Sequence, residues 1–133
     1  MKVAISATQP ELTAKMDPRF GRAQYFIIYD VDTGQFEALE NPNIAASGGA
    51  GTQSAQLVMT KGAGAAISGS FGPNAAMALN AGSVAMYNGN PASSVLDNIE
   101  AFKAGQLQQA PSSSAGGRGT GMGRGGGGMG RQW

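Results

Sequence analysis

The residues best placed to do chemistry in this chain are glycines and arginines. Ser47-Gly48-Gly49-Ala50-Gly51-Thr52 runs directly into Gln53-Ser54-Ala55-Gln56-Leu57-Val58-Met59, which reads as a helix from Thr52. A loop poor in side chains that enters a helix start leaves backbone N–H groups unpaired beside the positive end of the helix dipole, and so suits an anion. The same residues also make a flexible connection ending in an N-cap. A second stretch, Asp17-Pro18-Arg19-Phe20-Gly21-Arg22, sets two arginines around Phe20-Gly21. One loop thereby offers two guanidinium forks to one multivalent anion, or, more plainly, two solvated charges beside an aromatic anchor. A third, Gly69-Ser70-Phe71-Gly72-Pro73-Asn74, is again glycine-containing, with Pro73 placed to open a helix.

What is missing narrows the chemistry further. The 133 residues include no cysteine and no histidine. Disulfides, thiolate nucleophiles, the usual zinc sites, Cys-ligated iron–sulfur clusters and every triad with an imidazole base are therefore excluded. A bound metal would need oxygen ligands, methionine sulfur, or delivery as a finished anionic complex gripped without direct side-chain ligation. The loop at residues 48–53 lacks the lysine of a Walker A motif, which weakens a phosphate or nucleotide module as the alternative. No general base is identifiable, so an enzyme is not expected. Net charge is +1, but Arg118, Arg124 and Arg131 lie in a terminal stretch without acids, leaving six basic against eight acidic residues in 1–110. The body is not a basic nucleic-acid surface.

These loops need a scaffold, and the chain alternates in a way that supplies one. Lys2-Val3-Ala4-Ile5-Ser6 reads as a short apolar strand with Ser6 where metal-dependent nucleases need a carboxylate. Residues 24–31 and 35–40 read as a hairpin turned at Asp32-Thr33-Gly34, and Asn41-Pro42-Asn43 breaks the sheet. Strand and helix then alternate: a helix from Thr52 closed at Gly62, a strand over 63–68, a helix over 74–81, a strand over 83–87 and a last helix opened by Ser94-Val95-Leu96-Asp97 and closed by Gly105. Repeated strand–helix units predict a right-handed, mainly parallel arrangement. Ligands of such sheets sit at the carboxyl ends of the parallel strands, so residues 6–9, 47–52, 69–74 and 88–94 should border one crevice.

From Pro111 the composition turns to Ser, Gly, Arg and Met, too poor in apolar residues to offset backbone entropy. One domain over 1–107 and a disordered tail over 108–133 are expected, with Met122 and Met129 as soft donors for copper(I) or the tail as a plain linker. No apolar run approaches the ~20 residues of a membrane span, and the first residues lack a long apolar leader, so a cytoplasmic protein is expected.

Asp17-Pro18-Arg19-Phe20-Gly21-Arg22-Ala23-Gln24-Tyr25-Phe26, Glu40-Asn41-Pro42, Gly48-Gly49-Ala50-Gly51, Gly69-Ser70-Phe71-Gly72-Pro73-Asn74-Ala75 and Ala101-Phe102-Lys103-Ala104-Gly105-Gln106-Leu107 recur in order. With them the chain resembles the dinitrogenase iron–molybdenum cofactor family. The resemblance implies a ribonuclease-H-like α/β fold: a mixed sheet with an N-terminal antiparallel hairpin followed by strand–helix units, without nuclease chemistry. It also implies carriage of molybdenum-containing sulfide clusters, either nitrogenase cofactor precursors or, in orange-protein members, a non-covalent molybdenum–copper sulfide cluster. Arg19 stands where many relatives have histidine before Phe-Gly-Arg, so the orange-protein type fits better. On that footing the cluster-binding residues are Arg19, Phe20, Arg22, Ser47, Gly48, Gly49, Ala50, Gly51, Thr52, Gly69, Phe71, Gly72 and Asn74, with Met77 or Met86 as further apolar wall. The implied partners are the inorganic anion itself and proteins that deliver or receive it.

Overall fold

The computed structural model describes residues 1–42 and 50–110. β1 (Lys2–Ala7) pairs antiparallel with β2 (Tyr25–Asp30), which pairs antiparallel with β3 (Phe36–Glu40). On its other side β1 pairs parallel with β4 (Ala63–Ser68), and β4 in turn with β5 (Ala85–Asn88). The short β6 (Gln108–Gln109) closes the far edge antiparallel to β5, giving the order β3-β2-β1-β4-β5-β6. This is the ribonuclease-H-like mixed sheet expected, with the hairpin and the strand–helix units in their expected places.

Among the described residues three helices sandwich the sheet. α1 (Ala50–Thr60) and α2 (Pro73–Ala81) lie on one face, where Ala55, Val58, Ala75 and Leu79 meet Ala4, Phe26 and Ile28. α3 (Val95–Lys103) lies on the other, where Val95 and Ile99 meet Val3, Ile5 and Ile27. β1 is covered on both faces, which is why it carries apolar side chains at successive positions rather than alternating ones. The alanines of β4 and of the facing helices let backbones approach closely.

The helix boundaries follow local chemistry. Gly62 takes the left-handed conformation (φ 84°) that ends α1, and Gly105 (φ 72°) does the same after α3. Ser94 caps α3 by accepting the Asp97 N–H at 3.0 Å. Pro73 opens α2 behind Gly72. α1, however, begins at Ala50, so Ala50 and Gly51 belong to its first turn and Thr52, expected as the helix start, is its third residue. β6 was not foreseen: two glutamines carry no periodic pattern, and the strand exists because Leu107 packs on the α3 side and Ala110 on the other, with the Ala110 N–H donating to Met86 O at 2.8 Å. The sheet therefore runs past the boundary expected at 107. Of the expectations for the tail, those from Pro111 onward lie outside the described residues.

The crevice expected from four loops is narrower than that. Residues 11–16 fold back along 92–96: Met16 N–H donates to Ser93 O at 3.2 Å, Val95 N–H to Ala14 O at 2.7 Å and Leu96 N–H to Leu12 O at 2.9 Å. Lys15 Nζ adds a bond to Ala92 O at 2.7 Å. Loops 6–9 and 88–94 are thus each occupied with this segment, Thr8 N–H donating to Lys15 O at 3.1 Å on the first side, because a polar connection must place its own backbone groups somewhere. The 69–74 loop stays open, and its geometry depends on Gly69. A Cβ there would stand 2.8 Å from Pro18 O and 2.9 Å from Pro18 Cα, backbone atoms with nowhere to go. Gly69→Ala is expected to destabilise the fold by about 2 kcal/mol, read as a lower urea midpoint at unchanged slope; an unshifted midpoint would refute the close packing of these two loops.

Candidate anion-binding site

A cleft of about 430 Å³ opens between the 19–22 loop and the starts of α1 and α2. That size lies within the range of small-molecule sites, ~300–1,000 Å³. Arg19, Phe20, Gly21 and Arg22 form one side, Gly51 of α1 the back, and Ser70 with Gly72, Pro73, Asn74 and Ala75 the other side.

Each wall is fixed to the sheet. The 17–22 loop begins where Asp17 N–H donates to Ser6 O at 3.0 Å. Its Asp17 carbonyl accepts the Ser6 hydroxyl at 2.7 Å and the Ser68 hydroxyl at 3.4 Å, so the ends of β1 and β4 both hold it. Phe20 N–H donates to Ser70 O at 3.1 Å, and Ser70 Oγ donates to Pro18 O at 3.0 Å, which laces the loop to the 69–74 loop. The far end of the loop is tied to α1 through Ser54 Oγ to Gly21 O at 3.3 Å and to residue 41 through Asn41 Nδ2 to Ala23 O at 2.9 Å. Phe20 is only 1% exposed and stacks between Phe26 and Phe71, with ring centroids 5.0 and 5.2 Å away. It touches the cleft as part of its floor, while most of its ring is core.

The two helix starts meet at the back. A Cβ on Gly51 would stand 3.1 Å from Ala75 N and 3.2 Å from Ala75 Cβ, so the absence of a side chain at 51 is what lets α1 approach the first turn of α2. In α2, Pro73 has no N–H and the Ala76 N–H is bound to Gly72 O at 2.9 Å, which leaves the amides of Asn74 and Ala75 as the open donors of that turn. No acidic residue lines this cleft among the described residues, and two guanidinium groups do. The nearest acid, Asp17, is buried behind Arg19, accepting its backbone N–H at 2.9 Å and standing 3.9 Å from its Nε. Among the described residues no three His, Cys, Asp or Glu gather in a way that could chelate a metal ion. The arrangement can therefore hold a preformed anion through N–H and guanidinium donors rather than ligate a bare cation.

Of the residues expected to form the site, Arg19, Phe20, Arg22, Gly51, Gly72 and Asn74 come together here. Ser47, Gly48 and Gly49 lie outside the described residues, and Ala50 is placed as the first residue of α1. Thr52 lines a separate shallow pocket with Asn74, Met77 and Ala78. Gly69 and Phe71 stand behind the wall, one packed on Pro18 and the other on Phe20. Met77 is 60% exposed at that neighbouring pocket, and Met86 is core. Gly21, Ser70, Pro73 and Ala75 were not singled out, although all four fall inside or beside the motifs that were; a count of amides at a proline-started helix would have reached Ala75.

The domain matches known proteins over most of its length. The chain is 34% identical to the apo form of the orange protein from Desulfovibrio gigas, with a TM-score of 0.80 over 82% of this chain and 92% of that one. A proposed NifB protein from Thermotoga, solved by NMR, shares 36% identity and a TM-score of 0.73 over 81% of this chain and 91% of that one. An uncharacterized protein of Methanocaldococcus jannaschii is 30% identical over 112 residues, 82% of this chain and 91% of its own. The family model for the dinitrogenase iron–molybdenum cofactor proteins matches residues 1–105, every described strand and helix but β6, and the chain belongs to that family.

Proposed function

We propose that this protein binds an anionic molybdenum–copper sulfide cluster without covalent attachment and carries it to a recipient protein. The observation that carries this reading is the cleft rim itself: Arg19 and Arg22 face two helix starts across a space that no acid lines among the described residues. The kinship with the orange protein and with the cofactor family supports a metal–sulfur cargo over a phosphate. A thiomolybdate–copper cluster arrives with its own sulfide ligands, so the protein need supply only donors to the sulfides and a partly apolar floor. The amides of Asn74 and Ala75, the two guanidinium groups and the edge of Phe20 are of that kind. Sulfide is a large, weakly hydrated acceptor, and transferring it to such a floor costs less than transferring a compact oxyanion. A chain with neither imidazole nor thiol can hold such a cargo, since no bond to the metals is asked of it.

Mixing the protein with tetrathiomolybdate and copper should produce visible charge-transfer bands that travel with the protein through gel filtration. Colour confined to the small-molecule fractions would reject the assignment. Arg22→Ala should weaken retention about tenfold, the scale of one charge-assisted hydrogen bond. Arg131→Ala, outside the domain, should leave retention within about twofold; equal losses in the two variants would show that Arg22 is not a cluster contact.

A further inference from the structure

Asp17 presents a contradiction that the carrier reading resolves. Its residue is 4% exposed, and its carboxylate lies behind the arginines of a site meant for anions. As a turn former it needs only an oxygen to accept the Arg19 N–H at 2.9 Å, and asparagine or serine would serve that purpose equally. The full negative charge opposes the guest across a short distance in a partly desolvated setting, where such repulsion is felt most. The two partners also differ in freedom. Asp17 is held through its own N–H and carbonyl to Ser6 and Ser68, both fully buried, whereas the Arg19 side chain is 65% exposed and stands 3.9 Å from Asp17 Oδ1 by its Nε. A fixed acid thus faces a cation that can swing.

We propose that Asp17 is a release residue, a built-in rival anion that competes with the cluster for Arg19. In the free protein Arg19 rests on Asp17. An incoming polyanion draws the guanidinium toward the cleft, and Asp17 reclaims it when the cluster leaves, so the empty state is stabilised and the off-rate is raised. A carrier gains from this arrangement because a cargo bound without limit is never delivered. The role rests on the carrier reading and specifies how that site lets go.

The test uses the full chain loaded with tetrathiomolybdate and copper, and follows transfer of colour to an excess of a copper chelator. Asp17→Asn keeps the oxygen that accepts the Arg19 N–H and removes only the charge, so release should slow about fivefold. In an Arg19→Gln background the same substitution should change release by less than about twofold, because the contested cation is gone. Asp17→Ser, which also keeps an acceptor, should match Asp17→Asn, and serves if the asparagine variant folds poorly. An unchanged or faster release in both single variants would overturn the role, as would equal slowing with and without Arg19. Wild-type protein that retains no colour would overturn the carrier reading and this role with it; wild-type protein that retains colour while Asp17→Asn behaves identically would overturn the release role alone.

Discussion

Two buried hydroxyls that converge on one carbonyl oxygen determine where everything else in the cleft lies. Ser6 is next to the end of β1 and Ser68 ends β4; their oxygens are 2.8 Å apart and stand 2.7 and 3.4 Å from Asp17 O. Hydroxyls at adjacent strand ends would be costly in this core unless each found a partner, and the loop that starts at Asp17 supplies it. Without the loop the two hydroxyls would have only each other, and the proton one of them now gives to Asp17 O would lose its acceptor. Its position sets Pro18 against Gly69, Phe20 between Phe26 and Phe71, and Arg19 and Arg22 opposite the starts of α1 and α2. Ser6 also stands where metal-dependent phosphoryl chemistry would require a carboxylate. Here the position is spent on scaffolding: its hydroxyl is fully buried and bound within the protein.

The absence of histidine and cysteine shapes the rest. A protein without imidazole or thiolate ligands can still hold a metal complex if the complex brings its own ligands and presents charge. The problem then becomes anion recognition, and the physical tools are helix amides, guanidinium groups and low competing charge. All three sit in one cleft, with the close approach of Gly51 to Ala75 making the helix starts neighbours. The 17–22 loop that carries both arginines is itself bonded to β1, to the 69–74 loop and to α1, and fixing donors in this way would lower the entropy lost on binding an anion.

Much of this was legible in the residues because punctuation in this chain is chemically explicit. Gly62, Gly105, Pro73 and Ser94 each have a single structural meaning at a helix end, and the hairpin follows from the β-branched and aromatic run at 24–31 turned back at Asp32-Thr33-Gly34. Of the residues flagged in the glycine and arginine loops, Arg19, Phe20, Arg22, Gly51, Gly72 and Asn74 line the cleft, while Gly69 and Phe71 stand behind it. What stayed hidden were contacts between segments far apart in sequence. Nothing local in Gly69 says that Pro18 will press on it, and a glycine loop read alone looks like an open donor when it is a point of contact. The pairing of residues 11–16 with 92–96 is likewise invisible, since polar connections carry no periodicity to align. β6 escaped for the same reason.

The Asp-Pro-Arg-Phe-Gly-Arg stretch shows how a motif can be correctly located and incompletely understood. Its two arginines read as cations for an anion, and its phenylalanine as a wall. The structure turns most of that wall into core and buries the aspartate against Arg19, outside the cleft lining. A site built purely for tight binding would keep negative charge away from Arg19 and would hold that side chain still. This one anchors an acid with buried bonds and leaves the cation 65% exposed beside it. A bonded floor combined with one exposed charged arm is the arrangement the release role requires, because affinity can then be lowered at a single residue without loosening the rest of the cleft.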